Sequence, residues 1–191
     1  FSSLATGTHV LIARRFGSKN YNECGHVLNT SLILSIFIGT IIGAIVVLFS
    51  HDIANFFAVD PKVGQYAGEF LHYRFMGIPF FLITVSYRGF FFGIGKTKIF
   101  MYSGVLVNFL NIVFNYFFIY GGFGMKGMGL GGAGLGSTLA TICDALFYIS
   151  VSSFPSYRKK YNYFKNFNFT KSIASSIIKI SLPVSLQNIF I

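Results

Sequence analysis

The stretch from Tyr87 to Tyr148, YRGFFFGIGKTKIFMYSGVLVNFLNIVFNYFFIYGGFGMKGMGLGGAGLGSTLATICDALFY, decides how the chain is read. It holds two apolar spans separated by a glycine-rich run, and each span carries polar residues at helical spacing. At about 100° per residue, Gly104, Asn108, Asn111 and Asn115 fall on one narrow helix face. Ser137, Thr141, Asp144 and Tyr148 repeat the i, i+4, i+7, i+11 spacing in the next span. Polar groups are expensive inside a bilayer and usually face a bundle interior, a cavity or a pathway. Two consecutive stripes can face the same interior and supply oxygens for a cation or a proton. Asp144 is the only carboxylate deep in a full span. Burial favours its neutral form and a nearby cation its ionised form, the opposition on which proton or sodium coupling depends. The plainer reading of the amides and hydroxyls is glue between helices, at about 1 kcal/mol each.

Composition supports the membrane setting independently. The chain is 53% hydrophobic and 10% charged, with mean hydropathy +0.65, which excludes an ordinary water-facing domain. A crossing helix needs about 20 mainly apolar residues. Four stretches qualify, at residues 27–49, 75–93, 99–120 and 131–154, flanked by partial spans at 1–13 and 173–191. Strands of a membrane barrel would alternate apolar and polar over about 10 residues, which these runs do not. The expected fold is an all-α polytopic membrane helical bundle. The chain opens on Phe1 and closes on the apolar run NIFI, so both ends are expected to be cuts through membrane segments. Cys24 and Cys143 lie in different segments and read as small buried thiols, not as a disulfide framework.

Loop charges set the expected orientation. Arg14, Arg15, Lys19, Lys96, Lys98, Arg158, Lys159, Lys160, Lys165, Lys171 and Lys179 lie on one set of loops, and Lys62 and Lys126 on the other. The first set is cytoplasmic by the positive-inside rule, which accounts for the net charge of +10 without a nucleic-acid partner. The basic, aromatic stretch SYRKKYNYFKNF (156–167) could bind RNA or anionic lipid, but reads first as a cytoplasmic connector. Within HDIANFFAVDPKV (51–63), a short interfacial helix is expected at residues 51–58, with Asp60-Pro61 as a turn or helix start. Pro155 is expected to end the fourth span.

Several motifs are decoys. Gly95-Lys96-Thr97 resembles the end of a phosphate-binding loop, but the glycine that the spacing requires is Phe90, and a membrane helix precedes it instead of a strand. Asn29-Thr30-Ser31 and Asn168-Phe169-Thr170 match glycosylation acceptors by chance, one at the start of a span and one in a cytoplasmic connector. The glycine run GGFGMKGMGLGGAG makes a loop and a close-packed helix entry. His9, His26, His51 and His72 share no ligand spacing, so no metal site is expected. No nucleophile, metal cluster or acid pair faces a cleft, so the chain does not read as an enzyme.

An ordered set of segments resembles the MATE family of multidrug and toxin extrusion transporters. GTHVLIARRFGSKNYNEC (7–24) is similar to the close of the family's second helix, and AVDPKVGQYAGEFLHYRFMGIPF (58–80) to the entry into its fourth. YRGFFFGIGKTKIFM, NFLNIVFNYFFIYG and LGGAGLGSTLAT resemble the end of helix four, helix five and the start of helix six, and IIKISLPVSLQNIF the start of helix seven. The resemblance implies twelve membrane helices in two six-helix lobes. Residues 1–154 would belong to the N-terminal lobe, 155–171 to a cytoplasmic connector, and 172–191 to the start of helix seven in the C-terminal lobe. It further implies a multi-pass protein of the cell membrane, monomeric when full length and contacting membrane lipid. Such a protein exports small organic cations by alternating access, as an antiporter of sodium ions or protons, with no cofactor.

The family's cation site uses an Asn and, four residues later, an acid on helix five; here these positions are Asn111 and Asn115, so an amide replaces the acid. Thr141 or Thr138 matches a contributing threonine of helix six, and another family acid lies on helix one, outside this segment. Asp144 is the candidate for the missing charge. Two alternatives stand beside this reading. One is a lipid-linked oligosaccharide flippase of related architecture, which would carry more Arg and Lys within its spans than Arg74 and Arg88. The other is a non-transporting structural membrane fragment.

Overall fold

The computed structural model describes residues 2–122, 125–163 and 169–187. In chain order the elements are α1 (Ser2–Gly17), α2 (Tyr21–Leu48), α3 (Ser50–Phe57), α4 (Pro61–Phe75), α5 (Ile78–Gly93) and α6 (Thr97–Tyr120). A pair of two-residue strands follows, β1 (Gly121–Gly122) and β2 (Met125–Lys126), then α7 (Gly129–Ser153), α8 (Pro155–Tyr161) and α9 (Lys171–Gln187). The fold is the expected all-helical membrane type. The short helix expected at residues 51–58 is α3, at Ser50–Phe57, and Pro155 separates α7 from α8, where its missing N–H is harmless in the first turn. Asp60 caps α4 by accepting from the Lys62 amide at 2.8 Å, with Pro61 at the first helical position. The expected loop at the glycine run contains the antiparallel β1–β2 hairpin, framed by Gly121 and Gly129 at φ 82° and 58°.

One expected span is corrected. Among the described residues only α2, α6 and α7 are single helices long and apolar enough to cross a membrane; residues 75–93 do not form a span of their own. α5, at 16 residues, reaches about 24 Å at 1.5 Å per residue, short of the hydrocarbon core. It qualifies only when paired with α4, from which it is bent by 50°. Pro79 has no N–H to offer the Phe75 carbonyl, and its ring crowds the preceding turn. Hydropathy runs on across the break because Met76, Gly77 and Ile78 are not polar.

Gly95 lies at φ 72°, with the Lys96 amide bonded to the Phe91 carbonyl at 2.8 Å and the Gly95 amide to Phe92 at 3.0 Å. That is a helix-ending Schellman pair, which occupies the loop resembling a phosphate binder. Two compact units emerge from the Cα packing: Phe1–Phe37, Leu82–Ser103 and Leu146–Ile191 in the first, Ile38–Phe81 and Gly104–Ala145 in the second.

In the first unit α1 packs on α9 and α5. Ser3 Oγ lies 2.5 Å from Ser185 Oγ. A Cβ at Gly89 would come within 2.7 Å of the Ala5 carbonyl, so α1 and α5 meet nearly backbone to backbone. In the second unit α3 packs against α4.

Candidate functional site

In the second unit the glycines of α7 bring its backbone close against its neighbours. A Cβ at Gly132 would strike the Phe118 carbonyl, and one at Gly136 would lie 2.5 Å from Asn115 Oδ1, so α6 seats directly on α7. On the α4 side, a Cβ at Gly134 would lie 2.6 Å from the Phe70 carbonyl oxygen. The α4–α5 break is closed from the same helix. In an unbroken helix the Gly77 amide would bond the Tyr73 carbonyl, but here it bonds Arg74 at 3.3 Å. Thr138 Oγ1 donates to the Tyr73 carbonyl at 2.7 Å instead, with a longer contact to Arg74 O at 3.3 Å. Freed backbone groups need such a partner where no water is available.

The expected site residues take different places around this packing. Asn115 Nδ2 donates to Asn111 Oδ1 at 2.6 Å, tying the two amides together along α6. Asn115 Oδ1 is buried and accepts no hydrogen bond among the described residues. Asn108 is exposed and donates to the Gly104 carbonyl one turn back, at 2.8 Å. On α7, Thr141 is buried but donates to the Ser137 carbonyl of its own helix at 2.8 Å, while Ser137 is half-buried. Asp144 is 1% exposed. Tyr148 belongs to the first unit, where its ring stacks on Tyr87 at 5.8 Å and on Phe91 at 5.9 Å.

The first unit holds a polar cluster that sequence reading missed. Thr8 Oγ1 lies 2.8 Å from Ser31 Oγ, Ser31 Oγ lies 2.8 Å from Ser86 Oγ, and Ser35 Oγ 2.7 Å from Ser86 Oγ. This buried hydroxyl chain joins α1, α2 and α5. Its one sequence signal was the i, i+4 pair Ser31 and Ser35. Asn29 and Thr30 are buried on the same helix, which leaves no access for glycosylation there. Asn168 lies outside the described residues.

Aromatic rings close this unit at α8. Phe90 meets Tyr161 edge-on at 5.2 Å and Tyr163 at 5.6 Å. Tyr163 donates to the Ser152 carbonyl at 2.6 Å. Burial, aided by the nearby Cys24, Tyr21 and Tyr157, pushes the Tyr161 phenol up to about 12. Tyr163 is raised too, first by burial and then by Tyr87, Tyr157 and Tyr161, so both phenols stay neutral at ordinary pH.

A MatE family model matches residues 1–117, more than half of this chain. The chain belongs to the MatE family. The "Probable multidrug resistance protein NorM" of Listeria innocua is 27% identical to it over 191 residues, covering 100% of this chain and 42% of that protein. The protein of the same name in Bacillus subtilis is 35% identical over 136 residues, 69% of this chain and 29% of that protein. An inward-facing structure of a multidrug resistance MATE family transporter of the MOP superfamily superposes with a TM-score of 0.84 at 26% identity, covering 97% of this chain and 41% of that one. This MatE chain therefore spans well under half the length of these relatives. Its family and its long apolar helices make it part of a multi-pass membrane protein, and its solved neighbours are transporters, not enzymes.

Proposed function

We propose that the full-length protein is a secondary active transporter that exports organic cations by alternating access, driven by entry of sodium ions or protons. The observation that carries this reading is Asp144, an acid within a membrane span that is 1% exposed, on the same helix stripe as Ser137 and Thr141. An acid inside a membrane span is costly to bury and usually marks an ion or substrate pathway, which suits a coupling role. Asn115 Oδ1, buried and accepting no hydrogen bond among the described residues, leaves an oxygen available to a cation. Membership in a family with multidrug transporters among its solved structures supports the substrate class. In this reading residues 1–154 form the N-terminal lobe, 155–171 a cytoplasmic connector, and 172–191 the start of the second lobe. The protein works as a monomer in the cell membrane.

The test uses the full-length protein in membrane vesicles loaded with a fluorescent cationic dye, under an imposed sodium or proton gradient. Wild-type protein should export dye under one gradient. Asp144→Asn should lose most of the gradient-driven component, and Asp144→Glu should retain it. Unchanged gradient-driven export by Asp144→Asn would remove Asp144 from the coupling role. No dye movement by wild type under either gradient would overturn the transporter reading itself.

A further inference from the structure

The three cations of α8 have different surroundings. Lys160 Nζ sits over the rings of Tyr21, Tyr161 and Phe16 at 4.5, 5.7 and 5.8 Å, so aromatic faces hold its charge. Arg158 and Lys159 instead line an open cavity of about 390 Å³, with Ser153, Pro155, Asn162 and Tyr163. Both are exposed. The single acid of the first unit, Glu23, is bonded to Arg15 at 2.5 Å and does not serve them. Of the 15 Lys and Arg, all but Lys62, Arg74 and Lys126 belong to this unit. The cavity thus offers two cations with no protein anion in the unit left to balance them.

We infer that this cavity binds the phosphate headgroup of an anionic phospholipid, with Arg158 and Lys159 contacting the anion. Ser153, which lines it, is the last residue of a candidate membrane span, the depth at which headgroups lie. Leu146, Ile149 and Ser153 share one face of α7 at i, i+3, i+7, and Phe154 follows. Leu146, Ile149 and Phe154 are 57%, 38% and 61% exposed, an apolar strip suited to acyl chains that a free anion would not use. Basic pockets beside membrane helices recognise anionic lipid headgroups through this combination of charge and apolar flank.

The test measures lipid binding to the full-length protein in neutral detergent by native mass spectrometry, titrating phosphatidylglycerol, phosphatidylcholine and inorganic phosphate. Phosphatidylglycerol should bind, and R158Q/K159Q should weaken it about 30-fold, the change expected on removing two basic residues beside an anionic headgroup. The charge-keeping R158K/K159R should retain binding, as should K96Q/K98Q, which removes two other cations of the same unit. Equal weakening by R158Q/K159Q and K96Q/K98Q would overturn the site in favour of diffuse surface charge. Phosphatidylcholine binding as tightly as phosphatidylglycerol would overturn the headgroup assignment. Displacement of the lipid by inorganic phosphate at equal concentration would show a free-anion site instead.

Discussion

α6 and α7 carry the same polar spacing and meet opposite fates. Only 6% of the apolar window of α6 is buried, against 44% of that of α7. The stripe residues do not explain this; the residues beside them do. α7 leads into its stripe through Gly132, Gly134 and Gly136, which admit a neighbouring backbone, and holds the small, buried Ala140 within it. α6 interleaves its own with Phe109, Ile112 and Tyr116, which are exposed. A polar stripe in a membrane helix therefore becomes interior when small residues let another helix close over it.

The largest effect that would break this comparison comes from filling the two helices at matched glycines. Gly136→Val should destabilise the full-length protein in detergent by about 3 kcal/mol, because the new side chain overlaps Asn115 and overpacking is costly. Gly104→Val, on α6, meets nothing within 4 Å and should leave the thermal unfolding midpoint unchanged or slightly raised. Equal losses at both positions would mean that α6 is as tightly packed as α7.

A middle-sized effect separates two threonines one turn apart on α7. Thr138 supplies the donor that the Tyr73 carbonyl loses at the α4–α5 break, so Thr138→Val strands a part-buried carbonyl and should cost about 1–2 kcal/mol. Thr141 donates to a carbonyl of its own helix, so Thr141→Val should cost no more than about 0.5 kcal/mol. Thermal unfolding of the two variants side by side checks the difference. If Thr141→Val proved the more damaging, the break would not depend on α7.

The same pair of threonines marks how far the sequence could be read. The helical membrane class, α2, α6 and α7 followed from hydropathy and length, which report average burial in lipid, and the short α3 from the segment between two spans. The break between α4 and α5 did not, because it depends on one absent N–H at Pro79 and on two carbonyls no hydropathy average sees. Thr138 entered only as one of two choices for a family position; its bond to Tyr73 spans 65 residues and leaves no local signal. Thr8, Ser31, Ser35 and Ser86 each look unremarkable alone, and only three packed helices make them a chain. Asp144 could be singled out because an acid inside a span is rare enough to be conspicuous by itself.

The smallest expected effect tests whether the α6 stripe is one feature or two. Asn108 is exposed, and its amide donates to the Gly104 carbonyl, which the helix can satisfy without it. Asn108→Leu should therefore change the unfolding midpoint by no more than about 0.5 kcal/mol equivalent. Asn115 differs, since it bonds Asn111 and lies against Gly136, where a branched replacement has no room. Asn115→Leu should be the more destabilising of the pair in the same measurement. A large loss from Asn108→Leu alone would place it in a packed interface, and the helical spacing would then outrank burial as the guide to which stripe residues act together.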